Sequence, residues 1–508
     1  MFLQLLMRNA DYRPDEVAIL HGDRQITHRG LLDQVEGLAR GLVGLGLEPG
    51  QRVALVMDNS AEFLAAWFAV AACRGVNVPL NTDFKEEELA FYLRDADVRC
   101  LVVDESRAAL AARLRDSLPQ PLQIVVNGTA SPASGTHSLQ ALSGTPPGVV
   151  LPASRLDDDV IYIYTSGSTG RPKCAPRTVE QYWFETDDVV EGLRLTRADR
   201  IFCMIPMYHN FGAVHCMLAS VASGARLVIL GKAQPFSLHR RRALALMQQE
   251  RVTILPGVPF MYAELASVTE AADIRSVRVC YSAAAALTDD IADAFRSRFG
   301  VPIRNHYGST ETGVMTINMD ADPLQARGSV GKPFPGVRIR ILDEDGTEMP
   351  RGEEGEVVVS SRAMTRGYLG LPPEENQHFR GGAFHTGDLG LLDAEGNLHL
   401  RGRRRFIIDV VGQKVSPVEI EDVMAQHPAV QGVTVIGVPS ADGKSNVIRA
   451  YVHRAAACTT AELTAFCRER LANFKVPTEI LFLREMPRSN LGKTIRSRDT
   501  LDALVIQG

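Results

Sequence analysis

A short apolar strand followed by a polar, glycine-rich loop constrains the fold of this chain more than any other stretch. Residues 160–164 carry β-branched and aromatic side chains, which favour extended backbone. The loop that follows reads Thr-Ser-Gly-Ser-Thr-Gly-Arg-Pro-Lys at 165–173. An α/β protein usually carries a ligand loop directly after a buried strand. Because glycines permit close backbone approach, hydroxyls donate hydrogen bonds and lysine adds a charge, the loop suits a polyphosphate.

The candidate phosphate-binding residues of this loop are Thr165, Ser166, Gly167, Ser168, Thr169, Gly170 and Lys173. The loop is not a P-loop, because the Gly-Lys-Ser/Thr ending is absent and Pro172 interrupts the start of a helix. A solvated Ser/Gly turn would explain the composition of the loop alone. Partner motifs further along the chain decide between these interpretations.

Length and composition favour a soluble globular protein with more than one folding unit. The chain has 508 residues, of which 45% are hydrophobic and 23% charged. The net charge of -5 gives no electrostatic reason to expect nucleic acid or an anionic membrane as partner. Eight cysteines without metal-site or disulfide spacing favour reduced thiols in a cytoplasmic protein. Residues 1–8 predict a first helix rather than a signal peptide, and the longest apolar run, 63–73, is too short to span a bilayer.

Alternating strand and helix patterns predict an α/β fold with a large N-terminal domain and a small C-terminal α+β domain. Residues 1–125 and 155–330 read as two α/β lobes, joined by a Gly-, Ser-, Thr- and Pro-rich surface connection at 127–154. Short strands and frequent turns at 331–402 predict a small β-rich subdomain. We therefore expect an N-terminal domain of residues 1–402 and a C-terminal domain of residues 403–508.

Five further motifs follow the loop. They are Pro-Met-Tyr-His-Asn-Phe-Gly at 206–212, Asn-His-Tyr-Gly-Ser-Thr-Glu-Thr-Gly at 305–313, His-Thr-Gly-Asp-Leu-Gly at 385–390, the Arg-rich segment 402–421 and Pro-Arg-Ser-Asn-Leu-Gly-Lys-Thr-Ile-Arg at 487–496. In this order the six motifs resemble those of the acyl-adenylate-forming superfamily, which comprises acyl- and aryl-CoA ligases, carrier-loading adenylation enzymes and luciferases. The resemblance covers nearly the whole chain.

The resemblance implies a nucleotide site in which several motifs meet. Tyr307 would lie against adenine, Thr310 on the α-phosphate and Glu311 on Mg²⁺. A carboxylate suits the last role because magnesium prefers hard oxygen ligands. Asp388 would accept both ribose hydroxyls, and Arg403 would contact the ribose. The resemblance implies nucleotide contacts also for Gly308 and Ser309 of the 305–313 motif.

The resemblance also implies an acyl pocket, in which His209 would contact the acyl group. Asn210 stands where adenylation domains for α-amino acids carry an aspartate, so an α-amino acid is disfavoured because its ammonium would be buried unpaired. With Phe211 it resembles aryl-acid-activating enzymes, in which the asparagine hydrogen-bonds an ortho substituent, although plain packing explains an asparagine equally well. Ala283 and Ala284 stand at positions that are glycine in relatives, so we expect a narrower pocket and a small or aromatic acid.

The C-terminal motifs imply two half-reactions. Lys493 would reach the carboxylate and the α-phosphate and stabilise charge during adenylation. Arg405 falls at the hinge about which a mobile C-terminal domain would rotate, bringing the loop at Val411 and Gly412 to the thiol. Asp409 differs from the residue that many relatives carry at this position, so the identity of the thiol substrate stays open.

The expected activity is ATP- and Mg²⁺-dependent conversion of a carboxylic acid to an acyl-adenylate with pyrophosphate release, followed by transfer to a thiol, foremost CoA. A stand-alone adenylation enzyme that loads the phosphopantetheine arm of an acyl carrier protein is the alternative. A non-catalytic nucleotide-binding sensor or scaffold is an alternative of another class, and Lys493 argues against it because binding alone does not require that residue. No nucleic acid or integral membrane partner is expected, and the sequence does not indicate the oligomeric state.

Overall fold

The computed structural model describes residues 1–128, 135–165, 172–231, 236–320, 323, 328–403, 408–410, 413–439, 446–471, 473–488 and 494–506. The elements of its first third, in chain order, are α1 (Phe2–Tyr12), β1 (Val17–His21), β2 (Arg24–Thr27), α2 (His28–Gly44), β3 (Arg52–Val56), α3 (Ala61–Ala72), β4 (Val76–Pro79), α4 (Glu86–Asp95), β5 (Val98–Asp104), α5 (Ala108–Ser117), β6 (Gln123–Asn127), β7 (His137–Ser138), α6 (Leu139–Ser143), β8 (Asp159–Thr165) and β9 (Lys173–Thr178).

The middle of the chain alternates in the same way. Its elements are α7 (Val179–Gly192), β10 (Arg200–Cys203), α8 (Asn210–Gly212), a π-helical turn (Ala213–Leu218), α9 (Ala219–Ser223), β11 (Arg226–Ile229), α10 (Arg240–Gln249), β12 (Ile254–Gly257), α11 (Pro259–Ala266), β13 (Val279–Ser282), α12 (Asp289–Phe299), β14 (Ile303–Ser309), β15 (Gly313–Ile317) and β16 (Ser329–Pro333).

The remaining strands and helices are shorter. They are β17 (Val337–Leu342), β18 (Gly355–Ser361), β19 (Phe379–Arg380), β20 (Ala383–Leu392), β21 (Leu398–Arg403), β22 (Ile408–Val410), β23 (Gln413–Val415), α13 (Pro417–Ala425), β24 (Val430–Pro439), β25 (Asn446–Arg454), α14 (Thr460–Arg468), β26 (Glu479–Leu483) and α15 (Arg498–Asp502).

Two large sheets organise the N-terminal part. The first has strand order β7-β6-β5-β3-β4-β8-β9, and only β8 and β9 pair in antiparallel fashion. The second runs β17-β18-β20-β21-β16-β15-β14-β13-β12-β10-β11-β1-β2, with β19 on β20. Its centre from β1 to β14 is parallel, and the strands from β14 onward are antiparallel. The predicted α/β fold is therefore observed.

The apolar helix α3 lies in the core that both sheets share. Every residue of α3 except Glu62 is buried, which explains why the helix consists largely of alanine and aromatic residues. The Trp67 ring lies 5.3 Å from Phe2, 5.2 Å from Phe68 and 5.9 Å from Tyr182, measured between ring centroids. One cluster of buried side chains therefore joins α1, α3 and α7.

We expected each lobe to be one continuous stretch of sequence, but this expectation was wrong, because each sheet takes strands from both stretches. β1 and β2 join the second sheet, where Ile19 pairs with Leu227, and β8 and β9 join the first. The predicted connection 127–154 also contains β7 and α6, and α6 packs so closely on α2 that a Cβ at Gly37 would overlap the Ser143 carbonyl. Strand periodicity identifies a strand but not its partner, which explains both errors.

The C-terminal residues have sheets and a core of their own. β22 pairs with β23, and β24, β25 and β26 form a separate three-stranded sheet. Buried side chains of both, such as Ile408 and Val452, share a cluster with Ile420 in α13. Among the described residues no helix is long and apolar enough to cross a membrane. All eight cysteines are buried and carry free thiols.

Candidate active site

Part of the predicted site lies outside the described residues. This applies to Ser166, Gly167, Ser168, Thr169, Gly170, Arg405, Val411, Gly412 and Lys493. Only the backbone of Arg403 is described, and it pairs with Asp388 across β20 and β21.

The ends of the phosphate loop are held together by strand pairing. β8 leads into the loop and β9 leads out of it, with Thr165 opposite Lys173 in the antiparallel register. Lys173 is largely buried, with 9% of its surface exposed. The sheet therefore fixes the lysine at the base of the loop.

Lys173 reaches the motif at 305–313 through a tyrosine that lies almost 200 residues along the chain. Its Nζ is 5.2 Å from the centroid of the Tyr368 ring, and the Tyr368 hydroxyl donates a 2.7 Å hydrogen bond to Glu311 Oε1. Main-chain bonds support this meeting, from Leu369 N to Cys174 O at 2.9 Å and from Thr365 N to Glu311 O at 2.9 Å. A lysine therefore lies over the face of one aromatic ring, and a carboxylate lies at the hydroxyl end of the same ring.

The residues expected at adenine and ribose are also in contact. The Tyr307 hydroxyl donates a hydrogen bond to Asp388 Oδ2, although the residues are 81 positions apart. Asp388 is buried, and its N–H donates to Thr386 Oγ1 at 3.0 Å. A carboxylate in this position can accept two hydroxyls, as recognition of a ribose requires.

The turn between Tyr307 and Glu311 is tight. A Cβ at Gly308 would lie 2.9 Å from the Gly313 carbonyl oxygen, so this position needs a glycine. Ser309 Oγ accepts a 3.2 Å bond from Thr312 N, which turns the chain back into β15. The Thr310 carbonyl accepts a 2.7 Å bond from Arg177 Nη2.

The loop at 206–212 is anchored by a buried asparagine that we did not single out from the sequence. Asn59 Nδ2 donates to Ile205 O at 2.8 Å, and Asn59 Oδ1 accepts from Met207 N at 2.7 Å. His209 then caps α8, with Nδ1 accepting from Phe211 N at 3.2 Å. The predicted acyl-contacting histidine therefore lies at a fixed helix start.

Aromatic and imidazole rings fill the space around Phe211. Its ring centroid lies 4.7 Å from His215, 5.9 Å from Tyr281 and 5.8 Å from His306. His215 Nδ1 is 2.9 Å from the Tyr281 hydroxyl, and His306 Nδ1 donates to Thr316 O at 2.7 Å. Five buried rings, including Phe334 beside His306, thus form one cluster that contains Phe211 of the motif at 206–212.

Both histidines of this ring cluster are neutral at physiological pH. Burial lowers the pKa of His306 to about 4, with the bond to Thr316 O opposing the shift. Burial, followed by repulsion from His306, lowers the pKa of His215 well below its usual range. The cluster therefore carries no charge and offers a polar but uncharged wall.

The two alanines at predicted glycine positions differ in environment. Ala283 is buried at the end of β13, and its N–H donates to Gly257 O at 3.2 Å. Ala284 is exposed and has φ +68°, a left-handed conformation that glycine adopts more easily. The backbone conformation at Ala284 is therefore one that suits the glycine expected at this position.

Sequence reasoning missed a buried ion pair beside Asn210. Arg177 Nη1 lies 3.3 Å from Glu185 Oε2, and Asn210 Nδ2 donates to Glu185 Oε1 at 2.8 Å. Burial raises the pKa of the Glu185 carboxyl, while Arg177 and Asn210 oppose this shift. A signal was present, because Glu185 falls between Tyr182 and Val189 on the buried face of α7. Since Arg177 already pairs with it, Glu185 is no free partner for a substrate ammonium.

Two family models match this chain. The model of the AMP-binding enzyme family matches residues 6–369, and that of the AMP-binding enzyme C-terminal domain matches residues 419–493. A 2-succinylbenzoate–CoA ligase of Bacillus cereus is 31% identical over 97% of this chain and 96% of its own length. An oxalate–CoA ligase of Arabidopsis thaliana is 31% identical over the same shares of the two chains.

Solved structures of similar enzymes share the fold. The anthranilate CoA ligase AuaEII with anthranoyl-AMP superposes with a TM-score of 0.87 at 30% identity, over 97% of this chain and 95% of that one. ATP-bound MatB from Rhodopseudomonas palustris superposes with a TM-score of 0.88 at 30% identity, over 99% of both chains. This chain belongs to the AMP-binding enzyme family and is an adenylate-forming acid–thiol ligase.

Proposed function

We propose that this enzyme activates a small or aromatic carboxylic acid with MgATP and passes the acyl group to the thiol of CoA. The observation that carries the proposal is the contact between Lys173, Tyr368 and Glu311. It brings a cation for phosphate and a carboxylate for magnesium to one place. The neighbouring contact of Tyr307 with Asp388 supports a nucleoside beside them.

In the first half-reaction, a carboxylate oxygen of the acid attacks the α-phosphorus of ATP, and the bond to the bridging oxygen breaks. Pyrophosphate leaves and an acyl-adenylate remains. A carboxylate is a poor nucleophile towards an anionic phosphate, so positioning and charge neutralisation supply most of the rate. We assign phosphate contacts to Lys173, Thr310 and, from the resemblance, the loop residues 165–170. Lys493 would stabilise the charge that develops during the attack.

The residues present fit magnesium. Glu311 is a hard oxygen ligand, and the hydroxyl of Tyr368 orients its carboxylate. Glu311 would hold the ion together with phosphate oxygens. Bound Mg²⁺ would neutralise charge on the triphosphate.

The ring cluster around Phe211 supports a small or aromatic acid. Phe211, His215, Tyr281 and His306 are all buried and in mutual contact, so a packed wall of rings lies beside the predicted acyl-contacting residues. The relatives reported above carry the names of ligases for 2-succinylbenzoate, oxalate and anthranilate, which are small or aromatic acids. Neutral Asn210, whose amide nitrogen is bonded to Glu185, disfavours an α-amino acid.

In the second half-reaction, the thiolate of CoA attacks the acyl carbon and AMP leaves. We propose that residues 403–508 rotate about Arg405 for this step, withdrawing Lys493 and bringing Val411 and Gly412 to the thiol. The strands on either side of this loop, β22 and β23, pair in antiparallel register with Val410 opposite Gln413, which supports the assignment of 411–412 as one loop of the C-terminal domain. Asp388 and Arg403 would keep hold of the ribose.

A cytoplasmic location is part of the proposal. All eight cysteines are buried free thiols, which is typical of proteins in a reducing compartment.

The test is pyrophosphate release from MgATP across short, medium-chain, aromatic and amino carboxylates, each with and without CoA. We expect turnover with a small or aromatic acid that requires CoA. Pyrophosphate exchange that CoA does not accelerate would instead indicate an acyl carrier protein as acceptor. ATP binding without pyrophosphate release from any acid would contradict the proposal and favour a sensor.

A further inference from the structure

The buried pair Arg177–Glu185 lies between the acid side and the nucleotide side of the site. Arg177 is in β9 and Glu185 in α7, and their side chains are 0% and 1% exposed. Removal of two charges from water is expensive, so such a pair needs further polar partners. Those partners belong to the motifs that carry the chemistry.

Arg177 fixes main chain on both sides of Glu311. Its Nη2 donates to the Thr310 carbonyl at 2.7 Å, and its Nη1 donates to the Ala363 carbonyl. Thr310 directly precedes Glu311. The segment after Ala363 returns to Glu311 through the bond from Thr365 N to Glu311 O at 2.9 Å. One planar guanidinium therefore binds the two main-chain segments that set the position of the Glu311 carboxylate.

Glu185 holds Asn210 on the acid side of the site. Its Oε1 accepts the 2.8 Å bond from Asn210 Nδ2. The carboxylate also packs under Gly313, which has φ +78° and where a Cβ would lie 2.7 Å from the carboxyl carbon of Glu185. Glu185 therefore touches both the turn that follows Glu311 and the asparagine that follows His209.

The orientation of the Asn210 amide follows from the chemistry of Glu185. An ionised carboxylate only accepts hydrogen bonds, so the amide nitrogen of Asn210 must face it. Asn210 Oδ1 then points to other neighbours, and in the described part of the chain no group donates to it. A buried acceptor without a donor is unfavourable unless a ligand supplies one. Glu185 thus decides which atom of Asn210 is left for the acid.

We propose that Arg177 and Glu185 are positioning residues for adenylation, with Arg177 setting Thr310–Glu311 for the nucleotide and Glu185 setting Asn210 for the acid. This inference rests on the function proposed above. It goes beyond the six motifs, which contain neither residue. The side-chain hydrogen bonds of the pair reach different loops, Thr310 and Ala363 for Arg177 and Asn210 for Glu185, so replacement of the two residues should affect different kinetic constants.

Arg177→Lys and Glu185→Gln separate the two roles. Lysine keeps a charge beside Glu185 but cannot reproduce the planar fork that spans two carbonyls. We expect Arg177→Lys to lower kcat for pyrophosphate release about 10-fold, with KM for the acid within about threefold. We expect Glu185→Gln to raise KM for the acid about 10-fold or more, because the Asn210 amide loses its fixed orientation. A merely structural role would lower the folded fraction and leave both constants unchanged per folded molecule.

A second arginine–carboxylate pair provides the control. Arg278 and Asp199 form an ion pair at 2.8 Å, with side chains 38% and 5% exposed, and Arg278 also donates to the carbonyls of Leu193 and Arg194. Among the described residues, Arg278 forms no side-chain hydrogen bond to a motif residue. Arg278→Lys and Asp199→Asn should therefore leave kcat and KM within about twofold of the wild-type values.

The double variant Arg177→Met/Glu185→Met covers the case in which a single variant does not fold. Apolar residues of similar volume often replace a buried ion pair without loss of stability. We expect the folded double variant to show both defects. Wild-type kcat and KM in this variant, or equal effects of the Arg177 and Arg278 substitutions, would overturn the inference while the proposed function stands. Absence of pyrophosphate release from the wild-type enzyme would overturn the proposed function and this inference together.

Discussion

Single residues make the role of charge in this site testable, and Glu311 is the clearest case. Glu311→Gln keeps the size of the side chain and can still contact Tyr368, but it removes the negative charge that magnesium needs. We expect kcat for pyrophosphate release to fall about 100-fold. The Mg²⁺ concentration for half-maximal activity should rise, measured by titration with MgCl₂. Tyr368→Phe is the control, since it removes only the orienting hydroxyl and should have the smaller effect. An unchanged Mg²⁺ requirement in Glu311→Gln would contradict the metal assignment.

Ala284 has a left-handed backbone conformation, whereas its neighbour Ala283 does not. Because Ala284 has φ +68° and is exposed, Ala284→Gly should leave the free energy of unfolding unchanged or raise it by up to about 1 kcal/mol. Ala283 is buried, so Ala283→Gly should lower that free energy by about 1 kcal/mol. Urea denaturation of both variants measures the contrast. Equal destabilisation by the two glycines would show that the left-handed conformation carries no cost.

His306 makes stability depend on pH. Its pKa is about 4 in the folded protein, below the value of about 6.5 expected when unfolded. As pH falls through this window, the unfolded state binds the proton first, so the free energy of unfolding decreases. Between pH 7.5 and 5.5, the wild-type enzyme should lose about 1 kcal/mol more than His306→Asn, in which the amide can still donate to Thr316 O. Urea denaturation at both pH values measures this difference, and equal losses would contradict the neutral state of His306.

At the scale of elements, helix α7 carries Glu185 and begins with a capping box. Thr178 Oγ1 accepts from Gln181 N at 3.2 Å, and the Gln181 side chain accepts from Thr178 N at 2.9 Å. Thr178→Ala should lower the free energy of unfolding by about 1 kcal/mol and speed amide hydrogen exchange in the first turn of α7. Thr459→Ala, which removes the equivalent box of α14, is the matched control and should speed exchange in α14 instead. Faster exchange at neither helix start would refute the capping assignment.

The sequence predicts elements better than it predicts their partners. Strands β17 to β20 lie within residues 331–402, where the sequence predicts short strands, because local side-chain patterns report the strand itself. The pairing of β1 with β11 involves residues about 200 positions apart, for which no local pattern exists. In the site, motif residues such as Glu311 were predicted from their order. Arg177 was not, because its bonds reach Thr310 and Ala363, far along the chain.

The whole molecule must serve two half-reactions with one nucleotide site. If residues 403–508 rotate between them, Lys493→Ala should abolish pyrophosphate release while leaving thioester formation from a supplied acyl-adenylate within about threefold of wild type. Both half-reactions can be followed separately by mass spectrometry. Glu311→Gln provides a comparison, since it changes the nucleotide site on the N-terminal side. Equal loss of both half-reactions in Lys493→Ala would contradict the division of labour between domain positions.

The order of the two half-reactions tests the central claim most directly. The enzyme is mixed with MgATP labelled at the α-phosphate and an active acid from the panel, first without CoA, and CoA is added afterwards. We expect labelled acyl-adenylate and free pyrophosphate before the addition, and labelled AMP with an acyl-CoA thioester after it. Formation of ADP, or of thioester with no preceding adenylate, would contradict this expectation.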